Sequence, residues 1–136
     1  MDKAFVDTSV ILRLLIKDEP RKIDACRQLI QKASVQGNTL HLPPVTILET
    51  VWVLEKLYRL SKKEIRELVE AILNTPAFRC EMEDIFRNAL RTYDEKNIKF
   101  ADAVMGCWGL DHGLTTVYTY DEKHFRRIPG LTVRTP

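Results

Sequence analysis

Short β-prone runs alternate along the chain with longer segments in which apolar residues recur every three or four positions. Alternating strands and helices need crossover connections, which favour parallel pairing between the strands. We therefore expect an α/β fold with three layers, in which helices flank a mostly parallel central sheet. The expected strands cover residues 3–6, 39–42, 77–80, 114–120 and 131–133.

Helices are predicted from the spacing of apolar residues and from residue types that favour helix ends. Ser61 and Glu64 have the spacing of a capping box at the start of a helix. Gly113 follows an apolar segment at a position typical of a helix end. The expected helices cover residues 10–15, 20–35, 45–60, 61–74, 82–93 and 100–111.

Residues 1–136 are expected to form one domain, since a chain of this length can bury a single core. Hydrophobic residues make up 45% and charged residues 29% of the chain, which excludes a disordered or collagen-like protein. No apolar run approaches the roughly 20 residues that a membrane span needs. The N-terminus lacks the features of a signal peptide, so we expect a cytoplasmic protein.

Several carboxylates interrupt apolar segments. Asp7, Glu49 and Asp102 are each the only formal charge in the apolar stretch around them. Asp121 ends the β-prone run 114–120. An ionised carboxylate taken out of water costs several kcal/mol unless a partner compensates it, and the local sequence offers none. Each of these acids is therefore expected to find its partner elsewhere in the fold.

The predicted fold suggests where these acids meet. In open parallel sheets, ligands bind outside the carboxyl ends of the strands. Asp7 and Asp121 each follow a strand, whereas Glu49 and Asp102 lie in the first turns of helices, so all can reach one edge. Carboxylates gathered in one cleft repel, and the chemistry that tolerates them is a hard divalent cation such as Mg²⁺ or Mn²⁺. The sequence therefore predicts a metal site.

Each acid also has a structural interpretation that needs no metal. Asp7 suits the N-cap of the first helix. Asp102 is favoured near the positive end of a helix dipole. Glu49 is explained as a polar residue on the rim of a helix, and Asp121 as a turn residue after a strand.

Four segments carry a resemblance to a known family. They read FVDTSVILRLL at the N-terminus, TILETVWVL around Glu49, FADAVMGCWG around Asp102 and VYTYDEKHFRRIPGLTV near the C-terminus. Together and in this order they resemble the motifs of PIN domains, and the resemblance covers essentially the whole chain. In size and pattern the chain is similar to the VapC-type toxin ribonucleases of toxin–antitoxin systems.

The resemblance implies a metal-dependent endoribonuclease that uses Mg²⁺ or Mn²⁺, with a cognate antitoxin as partner. The implied acidic quartet consists of Asp7, Glu49, Asp102 and Asp121. Ser9 and Thr119 match hydroxyl positions of the family, and we expect them to support the ligands. The implied reaction needs no histidine base, so the three histidines are expected to have structural roles.

Basic residues close in sequence to the quartet are candidates for binding RNA phosphates. The chain carries a formal net charge of +2, and removing the four negative charges of the quartet leaves +6. The candidates are Arg13, Lys17, Lys99, Lys123, Arg126 and Arg127. The alternative for each is a solvated surface charge.

The third predicted helix is unusually apolar, with ten apolar residues among the sixteen of 45–60. Trp52, Val53, Leu57 and Tyr58 lie on more than one of its faces. One core-facing stripe does not need so many apolar residues, so we expect a homodimer through helices 45–60 and 61–74. A large core within the monomer is the alternative.

Two other functions stay open from the sequence. The first is a catalytically inactive PIN-like module that binds RNA or protein, although all four matching positions are acidic. The second is a nuclease of housekeeping RNA processing. A phosphatase would need an Asp-x-Asp motif, and a receiver domain would need paired acids before the first Asp; the FVDTS segment has neither.

Overall fold

The computed structural model describes residues 3–136, within which the chain forms seven helices and five strands. The described residues fall into two compact units, residues 3–83 and residues 84–136. All strand pairs in both units are parallel. The predicted α/β class and the predicted parallel pairing are therefore confirmed.

The first unit contains a three-stranded sheet whose order follows the chain. Its strands are β1 (Ala4–Phe5), β2 (Leu40–Leu42) and β3 (Phe78–Cys80). Two helices, α1 (Thr8–Leu15) and α2 (Pro20–Gln36), connect β1 to β2. Two more, α3 (Pro44–Lys56) and α4 (Lys62–Leu73), connect β2 to β3. These helical crossovers allow neighbouring strands to run in the same direction.

The core of the first unit forms where the apolar faces of its helices are buried. Ile11 of α1, Ile47 and Leu54 of α3 and Ile65 of α4 are completely buried. The helix α2 is more exposed, and its buried residues are few. Burial of the α1 and α3 faces fixes the chain just after β1 and β2, which are the positions of two of the predicted site residues.

The second unit contains three helices and a parallel strand pair. The helices are α5 (Glu83–Lys96), α6 (Phe100–Asp111) and α7 (Glu122–Phe125), and the strands are β4 (Thr116–Tyr118) and β5 (Thr132–Arg134). An aromatic cluster joins α5 to α6: the Tyr93 ring packs edge-on against Phe100, with centroids 5.5 Å apart, and Phe86 stacks on Phe100 at 6.4 Å. This cluster holds the first turn of α6 in place.

The helices α3 and α7 are among the places where the structure differs from the expectations. The helix α3 ends at Lys56, four residues before the predicted end. Arg59 has a positive φ of 52°, which is incompatible with a right-handed helix. The helix α7 was not predicted, because its four residues are too short to show a helical period. By contrast, the predicted capping at Ser61 is present, with its hydroxyl 3.2 Å from the Glu64 N–H.

The helices can also be compared with the requirements of a bilayer. The longest of them, α2, has 17 residues and carries charged residues along its length. Within residues 3–136 no helix combines the length and the apolar character that crossing a membrane requires.

Glu122, at the start of α7, is held in its ionised form by two neighbours. The hydroxyl of Thr135 donates a hydrogen bond to Oε1, and Arg126 Nη2 lies 2.6 Å from Oε2. These contacts, the Thr135 bond most of all, hold the pKa of Glu122 below its ordinary value of 4.5. A carboxylate with a lowered folded pKa adds stability above its unfolded pKa and loses that contribution as the pH falls.

We therefore expect the thermal midpoint of the protein to fall as the pH is lowered from about 5 to about 3. Glu122→Gln should make this fall shallower, because the side chain can no longer be protonated. Thermal melts monitored by circular dichroism across this pH range measure the effect. Glu67→Gln, at an exposed position of α4, is the control and should leave the pH profile unchanged; equal profiles for the wild type and Glu122→Gln would contradict the prediction.

Candidate metal centre

Asp102, Asp121 and His124 form a cluster of cation-binding side chains in the second unit. Each offers one ligand atom, and these atoms all lie within 4.8 Å of one another. Two carboxylates and an imidazole make a donor set that fits a divalent cation. The structure thus brings together two of the four acids that the sequence analysis selected, together with a histidine that it did not.

Asp102 is the buried member of the cluster. It is the third residue of α6, and its side chain is 12% exposed. His124 lies next to it, with Nδ1 3.1 Å from Asp102 Oδ2. The N-terminal end of a helix carries a positive partial charge, which favours a carboxylate at this position. The helix dipole and the metal site are therefore compatible roles for the same side chain.

Asp121 is exposed and follows β4 at the N-cap position of α7. Its carboxylate does not cap α7. Instead, the backbone N–H of Asp121 donates to Thr119 Oγ1 at 2.9 Å. Thr119 therefore fixes the main chain from which the Asp121 carboxylate projects.

His124 is the site residue that the sequence analysis missed, because it assigned structural roles to all three histidines. The short helix α7 places it one turn after Asp121, on the same side. Its Nδ1 also accepts a hydrogen bond from the Lys99 N–H at 3.2 Å, at the N-cap of α6. The sequence shows that His124 follows Asp121 by three residues. This spacing brings the two side chains to the same side only if a helix starts at Asp121.

In the first unit, Asp7 is the N-cap of α1. Its Oδ1 accepts hydrogen bonds from the Ser9 N–H at 3.1 Å and from the Ser9 hydroxyl at 2.6 Å. The bond from the hydroxyl contributes most to a pKa of Asp7 below its usual value. The expectation that Asp7 lacks a local partner was therefore wrong, because a neutral hydroxyl and an N–H can serve where no charge is present. Asp7 is also exposed rather than withdrawn from water.

Glu49 lies in the second turn of α3 and is exposed. The expectation that it is removed from water was wrong for the described fold. Asp7 follows β1 and α3 follows β2, and these two strands pair in parallel. Both acids therefore follow the carboxyl ends of neighbouring strands, as the sequence analysis expected.

The basic residues near the acids differ in what they contact. Arg13 pairs with Glu19 at 2.9 Å and with Asp18 at 3.3 Å, and Arg126 pairs with Glu122. Arg127 Nη1 donates to the Asn97 carbonyl at 2.6 Å, where it satisfies the end of α5. The side chains of Lys17, Lys99 and Lys123 are exposed. The lysines are therefore better placed than the arginines to contact a phosphate.

The chain resembles known proteins along most of its length. The family model of the PIN domain matches residues 4–131, which is nearly the entire chain. A VapC ribonuclease of Aquifex aeolicus strain VF5 is 29% identical over 128 residues, which cover 94% of this chain and 93% of that protein. The residues matched by the family model belong to both units, and their range includes all four predicted acids.

Two substitutions of Asp7 separate helix capping from cation binding. Asp7→Asn keeps a side chain that can cap α1 but removes the negative charge, whereas Asp7→Ala removes both. We expect Asp7→Asn to retain the wild-type thermal midpoint and to bind Mn²⁺ about tenfold more weakly or worse. Asp7→Ala should lower both the thermal midpoint and the affinity for Mn²⁺. Calorimetric titration with Mn²⁺ and thermal melts test this, and full Mn²⁺ affinity in Asp7→Asn would show that Asp7 only caps the helix.

Proposed function

The chain belongs to the PIN domain family, and we propose that it is a metal-dependent endoribonuclease that hydrolyses phosphodiester bonds in RNA. The observation that carries this proposal is the cluster of Asp102, Asp121 and His124, whose ligand atoms lie within 4.8 Å. The extended match to a protein named as a ribonuclease supports it. Residues 1–136 would work as one PIN domain.

Asp7 and Glu49 complete the proposed acidic quartet with Asp102 and Asp121. All four lie in the segments that resemble PIN-domain motifs and within residues 4–131, which the family model matches. Asp7 and Asp102 would be the core cation ligands, Asp121 would be a further ligand, and Glu49 would bind directly or through a water. The hydrogen bonds of Asp7 to Ser9 both use Oδ1, so the cap and a metal bond are compatible within one carboxylate.

Mg²⁺ or Mn²⁺ would activate a water for attack on the phosphodiester and stabilise the charge that develops on it. The residues of the chain prepare this chemistry. Burial of Asp102 lowers the local dielectric, which strengthens its attraction for a cation. Thr119 fixes the main chain at Asp121. Ser9 fixes the carboxylate of Asp7. In-line attack would leave a 5′-phosphate and a 3′-hydroxyl.

RNA would reach the site through its phosphates. Lys99 directly precedes α6 and Lys123 follows Asp121 by two residues, and both are exposed. Lys17 lies just beyond the end of α1. Contacts from these side chains to phosphates would give an affinity that falls with salt concentration. The three arginines would bind phosphate only if they left the partners that they already contact; they are Arg13, Arg126 and Arg127.

We further propose that the protein is the toxin of a type II toxin–antitoxin pair, with a cognate antitoxin as its protein partner. The support is the likeness to a relative named VapC ribonuclease across 94% of the chain. A housekeeping RNA-processing nuclease would share the same site chemistry, and a partner protein that copurifies and inhibits cleavage distinguishes the two.

A cleavage assay tests the proposed activity. The protein is incubated with a mixed panel of RNAs in the presence of Mg²⁺, Mn²⁺ or a chelator, and products are separated on denaturing gels. We expect cleavage with either cation, none with the chelator, and a loss of about a hundredfold or more in Asp102→Asn, because one charged ligand is lost. The matched control is Asp111→Asn, at the exposed C-terminal end of the same helix.

The outcomes of this assay discriminate between the functions. Cleavage that persists unchanged in Asp102→Asn would rule out the proposed site. RNA binding without cleavage under every cation would favour an inactive PIN-like binding module. Products that carry a 5′-phosphate are expected, and cyclic 2′,3′-phosphate ends would contradict hydrolysis by a metal-activated water.

The exposed side of α3 supports a homodimer. Val45 is 65% exposed, Trp52 57% and Leu57, just past the helix, 68%. Large apolar side chains grouped on one helix are characteristic of a surface that a partner covers. We propose that helices α3 and α4 of two copies cover each other in a symmetric contact.

Substitution of Trp52 tests the dimer. Wild-type protein is expected to show the mass of two chains by size-exclusion chromatography with light scattering at micromolar concentration. Trp52→Ala should raise the dimer dissociation constant at least about tenfold, because buried tryptophans dominate such contacts. Val35→Ala removes a side chain of α2 that is 80% exposed and should not change the mass. A monomeric wild type would contradict the proposal.

A further inference from the structure

We propose that His124 is a nitrogen ligand of the divalent cation bound by Asp102 and Asp121, and that it biases the site towards Mn²⁺ over Mg²⁺. This inference rests on the metal site of the proposed function and deepens it. It assigns a direct role to a residue that lies outside the acidic quartet.

The first step is the distance between His124 Nδ1 and Asp102 Oδ2, which is 3.1 Å. Two neighbouring ligands in an octahedral site with bonds of about 2.0–2.1 Å are separated by roughly 2.9 Å. The two atoms are therefore spaced as adjacent ligands of one cation. Asp121 offers its ligand atom within 4.8 Å of both. The three side chains can share one ion with small adjustments.

The second step is the state of the His124 ring. Nδ1 accepts a hydrogen bond from the Lys99 N–H at 3.2 Å. The lone pair of this nitrogen therefore faces the start of α6. The same nitrogen lies within hydrogen-bond distance of Asp102 Oδ2, so a proton or a cation can bridge the two atoms. The bond from Lys99 is at the long end of the range for such bonds, so a cation competes with a weak contact.

The third step is the burial of this pair of side chains. The side chain of His124 is 18% exposed and that of Asp102 is 12% exposed, so water screens their contact poorly. The ring is also held in place. Phe125, the next residue, is 5% exposed and anchors α7 in the core of the second unit. His124 therefore cannot simply turn away into solvent without moving the helix that also begins at Asp121.

The fourth step concerns the choice of cation. Mg²⁺ keeps its waters and prefers oxygen ligands, whereas imidazole nitrogen suits first-row transition ions better. A site of carboxylates alone would discriminate little between Mg²⁺ and Mn²⁺. Replacing one oxygen ligand by a nitrogen raises the affinity for Mn²⁺ relative to Mg²⁺. The cation preference then becomes a property of His124 that can be measured without RNA.

Pulsed electron paramagnetic resonance of bound Mn²⁺ tests the assignment directly. The protein is prepared with ¹⁵N-labelled histidine and loaded with Mn²⁺ alone. We expect a ¹⁵N coupling in the wild type that is absent in His124→Asn. Asn can still accept the Lys99 N–H through its amide oxygen, so this variant keeps the contact at the start of α6. His41→Asn, on β2, is the matched control and should keep the coupling, since His41 is exposed.

Calorimetry gives the second measurement. His124→Asn should bind Mn²⁺ about tenfold more weakly, whereas its Mg²⁺ affinity should change less than about threefold. Thermal melts of the metal-free variant verify that it is folded. Bound Mn²⁺ without any histidine coupling in the wild type would overturn the inference, and so would an unchanged preference between the cations in His124→Asn. Wild-type protein that binds no Mn²⁺ would overturn both this inference and the proposed function.

Failure of the two proposals can be distinguished because neither measurement involves RNA. A protein that shows the His124 coupling but cleaves no RNA would retain the ligand assignment and refute the nuclease. A protein that cleaves RNA with Mn²⁺ bound only by oxygen would retain the nuclease and refute the role of His124.

Discussion

Repulsion between negatively charged side chains held close together is the constraint on which the site depends. Two unit charges about 5 Å apart repel by roughly 1 to 3 kcal/mol, depending on how well water screens them. Asp102 is buried and Asp121 is exposed, so water screens the charge of Asp121 but screens that of Asp102 poorly. The fold of residues 84–136 opposes this repulsion with the aromatic packing of Phe86, Tyr93 and Phe100. A bound cation would turn the repulsion into attraction.

The contacts that shape the local structure also prepare the site. Ser9 donates to the Asp7 carboxylate that caps α1, and Thr119 holds the main chain at Asp121. Asp102 benefits from the helix dipole at the start of α6. Helix capping and cation binding were set out as alternatives for these acids, but each carboxylate has two oxygens and can serve both. A structural role therefore does not argue against a functional one.

Much of the fold could be predicted from the sequence, because periodicity and end signals are local. The bounds of α6 were predicted as the structure has them, and α2 and α4 agree within one or two residues at each end. The early end of α3 could not be predicted, since the apolar spacing continues through Leu57 and Leu60 although Arg59 leaves the helical conformation. Burial of Asp102 was expected, whereas the exposure of Asp7 and Glu49 was not.

By itself, the sequence determined the α/β class and the parallel pairing and selected the candidate acids, because the spacing of apolar residues and the isolation of charges can be read from the order of residues. Only the tertiary structure decided that His124 meets Asp102, 22 positions away in the chain. Contacts of this kind depend on where a short helix such as α7 packs and on which way a side chain turns. Local propensity carries no information about either.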